Sequence, residues 1–214
     1  MNVIVDEQCY QGPGIEAATI GELAQIVCQE TGGGEKRMVV HVVCDGAPVA
    51  PDRLDQVLAD APGQYSKIEL QTQPLRVLVH ATLAQAVKVF EDISAKRETI
   101  ADALEAGEQN DAMQQLRDLF GTWKQVQDCL AASVAALGLS TDQLATEAGT
   151  LEEVLDSVKT QLTELKDAMN GSDFVVVGDI LRYELEEPFQ QWLALLNRAC
   201  ELSADGSVMT NGST

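Results

Sequence analysis

The sequence has few aromatic residues and few bases. Only 4% of its 214 residues are Phe, Trp or Tyr, so aliphatic side chains and alanine must fill most of the core. Lysines and arginines number 14 against 34 aspartates and glutamates, which gives a net charge of −20 at pH 7. Because such a surface repels phosphate groups, we expect no nucleic acid as a partner. The charge is first of all expected to keep the protein soluble; the alternative is that it attracts a basic protein partner.

Histidine and cysteine are also scarce, which disfavours most metal and catalytic chemistry. The two histidines, His41 and His80, lack the Glu-x-x-His spacing of a di-metal carboxylate bundle. The five cysteines are widely spaced without a Cys-x-x-Cys pair, so neither a disulfide framework nor a zinc site is indicated. His41 and Cys44 lie three residues apart on a predicted strand and therefore face opposite sides. We predict no catalytic, cofactor-binding or metal-binding residues, and no cofactor.

Long apolar runs are missing as well. No run approaches the length of about 18 residues that a membrane span needs, and no charged and apolar cleavable leader opens the chain. Together with unpaired cysteines, these features predict a cytoplasmic protein without a membrane partner. The apolar content of 45% is nevertheless enough for a substantial core.

The first 73 residues combine short strand and helix signals. Thr19 and Glu22 have the spacing of a capping box, and Asp45-Gly46 is a strong turn signal after a β-branched run. The predicted order is a strand at 3–5, a second strand through residue 11, a helix from 20 to Gly32, a strand at 38–44, the turn at Asp45-Gly46, a short helix at 52–58 and a strand at 66–72.

This order resembles the β-grasp, or ubiquitin-like, layout over residues 1–73. The resemblance depends on the Asp45-Gly46 turn followed by the Asp52–Leu58 helix. Ubiquitin-like modifiers and sulfur carriers end in a free Gly-Gly tail, whereas here Thr72-Gln73-Pro74 continues into more protein. The resemblance therefore implies a small docking or scaffolding domain and no carrier or conjugation chemistry.

Residues 74–205 place apolar side chains at alternating spacings of three and four, which predicts long helices. Gly107, Gly138 and Asn170-Gly171 each end one of them, and Pro188 should kink or split the fourth. Short connections force neighbouring helices to run antiparallel. We therefore predict an α+β protein: a β-grasp-like domain at 1–73, an up-down-up-down four-helix bundle at 74–205 and a flexible tail at 206–214.

One apolar stripe is more regular than the others. Its eight members recur at spacings of four and three and predict one buried face of the third long helix. Either the rest of the bundle or a second copy of the chain must cover that face. The stripe comprises Leu144, Ala148, Leu151, Leu155, Val158, Leu162, Leu165 and Met169.

The densest polar group on a predicted helix immediately precedes Pro188. The pattern favours a solvated polar face above an aromatic core. The alternative is that a kink there exposes aromatic side chains to a partner, and the candidate contact residues are then Tyr183, Glu184, Glu187, Phe189 and Trp192.

Two charged residues interrupt otherwise apolar stripes. Arg97 and Glu184 lie at depths that differ by about one helical turn if the Gly107 and Gly171 turns share one end of the bundle. The pattern favours side chains that both extend to solvent; the alternative hypothesis is an ion pair between helices at this point.

No combination of nucleophile, base and orienting group can be assembled from these residues. We therefore predict a non-enzymatic protein-interaction module, acting as an adaptor, scaffold or chaperone-like protein. In general character, an acidic helical bundle of this size resembles secretion and flagellar export chaperones. Two alternatives stay open: a homo-oligomeric structural protein that pairs, for example as a homodimer, through an apolar bundle stripe, and an enzyme with an unrecognised site.

Overall fold

The structure of the protein is a computed structural model that describes residues 1–12 and 16–205. The chain divides into two compact units, Met1–Leu78 and Val79–Thr214. This boundary lies inside the first long helix, five residues beyond the end of the predicted first domain. The predicted flexible tail, residues 206–214, lies outside the described residues.

The first unit is a five-stranded mixed sheet with a helix packed against it. The strand order is β2-β1-β5-β3-β4; β1 and β5 run parallel and the other neighbours antiparallel. The predicted β-grasp layout is confirmed. The elements are β1 Asn2–Val5, β2 Gln8–Tyr10, α1 Ile20–Thr31, β3 Arg37–Cys44, β4 Ala47–Pro48, α2 Leu54–Ala59 and β5 Lys67–Pro74.

Local chemistry fixes these elements as the sequence predicts. The Thr19 hydroxyl accepts a hydrogen bond from the Glu22 N–H at 3.1 Å and starts α1.

The register of β3 against β5 is irregular between Val39 and His41. Beyond that point Cys44 is buried and His41 is exposed, so the two residues face opposite sides. The unit's core is formed by apolar residues of the sheet and helices, among them Val3, Val5, Ile20, Leu23, Val27, Val42, Val57, Ile68 and Leu70.

Asp6 joins three strands of this sheet. It lies in the two-residue turn between β1 and β2 with a φ of 47°, and its carboxylate accepts hydrogen bonds from the Thr72 N–H and hydroxyl, both at 2.7 Å. Arg37 donates to the same carboxylate at 3.3 Å. Burial alone would raise the pKa of Asp6, but the bonds from Thr72 and Arg37 outweigh burial and lower it.

The second unit consists mainly of long helices. Gly138, in the left-handed conformation with a φ of 64°, ends the second long helix. The Leu139 N–H caps this helix end by donating a hydrogen bond to the Val134 carbonyl at 3.0 Å. The helical segments are α3 Leu75–Glu105, which begins in the first unit, α4 Gln109–Leu137, α5 Leu151–Asn170, α6 Phe174–Asp179, a π turn at Ile180–Glu184 and α7 Glu186–Ala204.

An aromatic cluster fills the middle of the helical core. The Trp123 ring centroid lies 4.4 Å from that of Phe189 and 5.7 Å from that of Phe90, while Phe90 and Phe189 stack at 5.1 Å. Phe120 and Trp192 extend the cluster, with ring centroids 6.0 and 6.4 Å from that of Trp123. These five are nearly all of the chain's Phe and Trp residues, so the few aromatics of this protein are concentrated where α3, α4 and α7 meet.

The predicted start of the third long helix is wrong. Leu144 belongs to a 3₁₀ turn at Thr141–Leu144, and α5 begins only at Leu151. The reason is a capping box at Thr150, whose hydroxyl accepts from the Glu153 N–H at 3.3 Å while the Glu153 carboxylate accepts from the Thr150 N–H at 2.8 Å. Gly149, with a φ of 128°, is not in a helical conformation, so α5 cannot extend toward the N-terminus beyond Thr150.

The predicted buried stripe is also wrong at three positions, the first of which, Ala148, is exposed and precedes α5. On α5, Val154, Val158 and Leu165 are buried, whereas Leu155 and Leu162 are 40% and 37% exposed. The row of buried residues on α5 is therefore shifted by one position from the predicted stripe at two places. The apolar face of α5 is wider than the part that its own chain covers.

We predict that Asp6→Asn lowers the stability of the first unit by about 1 kcal/mol at neutral pH, because the charge that Thr72 and Arg37 solvate is lost. The pKa of Asp6 is depressed in the folded state, so its contribution is complete above the unfolded-state value of ~3.9 and disappears as the pH falls through the folded-state pKa. Urea unfolding followed by pulsed hydrogen exchange of β1 and β5 measures this. Parallel curves of stability against pH for the two proteins would contradict it.

Candidate functional site at the π turn of the fourth helix

A π turn interrupts the fourth long helix just before Pro188, where a split is predicted. The Leu185 N–H donates to the Ile180 carbonyl at 2.9 Å, one residue further back than in an α-helix. The Phe189 N–H then returns to α-helical spacing by donating to the Leu185 carbonyl at 3.1 Å. Because Pro188 has no N–H, it cannot bond the carbonyl four residues before it, and the wider turn accommodates that loss.

Arg97 of α3 fills the gap that the π turn opens. Its side chain is only 6% exposed. Nη1 donates to the Leu181 carbonyl at 3.2 Å, the acceptor that the Leu185 N–H would occupy in an α-helix, and Nε donates to the Ser94 carbonyl at 3.1 Å. Nη2 forms an ion pair with Glu186. Arg97 therefore connects α3 to both sides of the helix break.

The aromatic core completes the surroundings of this guanidinium. The Cζ atom of Arg97 lies 4.7 Å from the centroid of the Phe189 ring, within the range of a cation–π contact. The hydrogen bond from Arg97, followed by that from Gln190, lowers the pKa of Glu186 despite partial burial. We call Arg97 with Ser94, Leu181, Glu186 and Phe189 the arginine clamp.

The hypothesis that Arg97 pairs with Glu184 requires correction. The structure pairs Arg97 with Glu186, and Glu184 is exposed. The π turn places an additional residue in the helix between Ile180 and Leu185, so a depth counted along a regular α-helix does not identify which glutamate faces α3.

A second arginine also connects the π turn to α3, but this one belongs to the turn itself. Arg182 extends from the turn to α3, where Nη2 lies 2.5 Å from Asp102 and Nη1 bonds Glu105. The hydrogen bond from Arg182 lowers the pKa of Glu105. Both carboxylates are largely exposed, so these bonds orient the turn more than they stabilise it.

The π turn presents one ring to solvent between acidic side chains. Tyr183 is 69% exposed, and Asp179, Glu184 and Glu187, all within four residues of it along the chain, are exposed as well. None of these three carboxylates forms an ion pair within residues 1–12 and 16–205. We call these four residues the π-turn face. An exposed ring beside unpaired carboxylates suits a lysine or arginine side chain of a partner.

Two of the predicted contact residues do not belong to this face. Phe189 and Trp192 are 1% and 2% exposed, because the kink does not open the helix and both rings pack in the aromatic cluster. The other three predicted contact residues, Tyr183, Glu184 and Glu187, lie at the surface.

The helical unit also contains a Cys–His pair that the sequence does not reveal, since its members are 120 residues apart. The Cys200 sulfur lies 3.6 Å from His80 Nδ1. That nitrogen also lies 3.0 Å from the Ser203 Oγ and 3.1 Å from the Cys200 carbonyl, and the Ser203 hydroxyl donates to the same carbonyl.

This arrangement does not activate the thiol. The Ser203 hydroxyl uses its hydrogen on the carbonyl, so Nδ1 satisfies both oxygens only as an N–H donor and has no lone pair for the thiol proton. Burial, followed by the charge of Glu201, raises the pKa of Cys200, whereas a nucleophilic cysteine needs a lowered one. The pair secures the end of α7 on α3.

Metal-ligand clusters and membrane-spanning helices are both absent from the described residues. In the described part of the chain, no three His, Cys, Asp or Glu side chains are grouped so that they could hold a metal ion. No helix there is both long and apolar enough to cross a membrane.

Comparison with known protein families gives one match. Residues 81–195 match the family described as Domain of unknown function (DUF8042). The matched range includes the arginine clamp, the π-turn face and α5, and ends before Cys200. No curated protein and no solved structure matches the chain.

We predict that Arg97→Met destabilises the helical unit by about 1–3 kcal/mol, because the Leu181 carbonyl and Glu186 lose their donor. The matched control is Arg117→Met, which removes an exposed arginine whose side chain, among the described residues, bonds only Gln114; it should change stability by less than about 0.5 kcal/mol. Chemical unfolding followed by Trp fluorescence compares the two. Equal losses of stability would contradict the clamp.

We predict that Cys200 is an ordinary, unreactive thiol. In a variant that keeps only this cysteine, the rate of alkylation should rise with pH through and beyond about 8.5, because burial holds the thiol protonated at lower pH. Mass spectrometry of iodoacetamide-treated protein measures the rate. A fast rate that is already constant below pH 7 would instead indicate a thiolate and support an enzymatic role.

Proposed function

We propose that the chain, which belongs to the family DUF8042, is a non-enzymatic interaction protein that binds a basic protein partner through the π-turn face. The observation that carries the proposal is the 69% exposure of Tyr183 on a backbone segment fixed by two arginines. A tyrosine on a fixed backbone has only two side-chain torsions to order on binding, and tyrosine is frequent among residues that dominate interface energetics.

Charge supports the same partner class. The face carries three carboxylates without an ion pair in the described residues, on a chain with a net charge of −20. A lysine or arginine of the partner could stack on Tyr183 and pair with Glu184 or Glu187. We propose that the long-range field of the chain accelerates the encounter with a basic protein and that the ring provides the local contact.

The first unit offers a second place for docking. Its strand order leaves β2 and β4 as the edges of the sheet, and an exposed strand edge can pair with an extended segment of another protein. A protein that binds one partner at the sheet edge and another at the π-turn face would act as an adaptor or scaffold. The five free cysteines favour a reducing compartment, and we propose the cytoplasm.

The test compares proteins captured from the native source by wild-type chain and by two charge-reversal variants. Glu184→Lys/Glu187→Lys alters the π-turn face, and Glu91→Lys/Glu98→Lys makes the same charge change at exposed positions of α3. We expect one or more basic proteins to be retained by wild type and control and reduced about tenfold or more by the π-turn variant. Identical sets from all three baits would overturn the proposal.

We predict that Tyr183→Ala weakens binding of the captured partner by about tenfold, because the contact area of the ring is lost. Tyr183→Phe keeps the ring and should stay within about threefold of wild type. Titration calorimetry with the purified partner measures both. Since the ring is exposed, the melting temperatures of the two variants should match; equal affinity of Tyr183→Ala and wild type would exclude the π-turn face as the contact.

A further inference from the structure

The apolar face of α5 continues onto the surface. Leu155 and Leu162 are 40% and 37% exposed, although they lie on the same helix as the buried Val154, Val158 and Leu165. The two leucines are seven positions apart, so they project from the same side of the helix about 10 Å apart. They form a short apolar ridge beside the row that the chain covers itself.

The two ends of this ridge differ in shape and charge. At the N-terminal end, Leu155 and Leu151 line a groove of about 530 Å³ whose other walls include Asp142, Glu152 and Asp156. At the C-terminal end, Leu162 projects between Lys159 and Lys166. Both lysines are exposed, and neither forms an ion pair within residues 1–12 and 16–205.

We propose that the occupant of this face is a second copy of the chain, with two α5 helices paired antiparallel about a twofold axis near Val158 and Lys159. This register sets Leu155 of each copy opposite Leu162 of the other, so that Leu162 enters the groove. Glu152 then lies within about 2 Å along the helix axis of Lys166 of the second copy, and Asp156 within about 3 Å of Lys159.

Charge complementarity favours a second copy over a foreign helix. The face holds acids and a recess at one end, bases and a projecting leucine at the other, so it is complementary to itself when reversed, as a twofold interface requires. A parallel pair would instead set Glu152 against Glu152 and Lys166 against Lys166. The proposal does not depend on partner binding at the π-turn face, which lies on another helical segment.

The test is sedimentation velocity of the full chain from about 1 µM to about 1 mM, a range that covers weak and moderate affinities. Wild type should show a reversible monomer–dimer equilibrium. Glu152→Lys and Lys166→Glu should each weaken it about tenfold or more, because both symmetry-related pairs become repulsive. The double variant Glu152→Lys/Lys166→Glu restores both pairs and should return to within about threefold of wild type.

One control variant and one further test variant show whether the effect is specific to this face. Lys88→Glu makes the same charge change at an exposed position of α3 and should leave the equilibrium unchanged, while Leu162→Gln should weaken it without altering the far-UV circular dichroism. A monomer throughout the range, or a double variant no tighter than the single ones, would overturn the antiparallel pairing. Binding of an unrelated basic amphipathic peptide by a strictly monomeric chain would assign the groove to a foreign partner and also overturn it.

Discussion

A buried guanidinium controls the architecture of the helical unit. Arg97 is 5% exposed, and a charge in that position is tolerated only if its donors and its charge find partners. The partners come from the break in the facing helix: the Leu181 carbonyl released by the π turn, the Glu186 carboxylate just after it and the Phe189 ring. The arginine and the π turn therefore require each other, since either alone would leave a buried polar group unsatisfied.

The same local change in helical spacing explains why the aromatic residues of α7 are buried while Tyr183 is exposed. Phe189 and Trp192 pack against Phe90 and Trp123, and Arg182 holds the turn on α3 from outside the core. Tyr183 is thus presented by a backbone fixed at both ends. We regard this combination of a rigid scaffold and an exposed ring among carboxylates as the basis of the proposed interaction function.

Sequence patterns predict the parts of this fold that local chemistry determines. The strand and helix order of the first unit follows from turn and cap residues such as Asp45-Gly46 and Thr19, and the break before Pro188 follows from the missing N–H. The row of α5 that becomes buried does not follow, because Leu155 and Leu162 fit an alternating spacing as well as Val154 and Gln161 do. The Gln161 side-chain oxygen is buried without a hydrogen bond to the described residues, which no hydrophobic pattern anticipates. Arg97 could be identified as an interruption, but its partner depends on a π turn that sequence spacing does not reveal.

Residue-resolved hydrogen exchange of the Leu185 and Phe189 amides tests most directly whether Arg97 holds the π turn. If it does, both amides exchange slowly in the wild-type chain, with protection similar to that in the middle of α3 and α4. In Arg97→Met their exchange should accelerate about tenfold or more while α5 stays protected. Rapid exchange of these amides in the wild type, or exchange that the substitution leaves unchanged, would contradict the account.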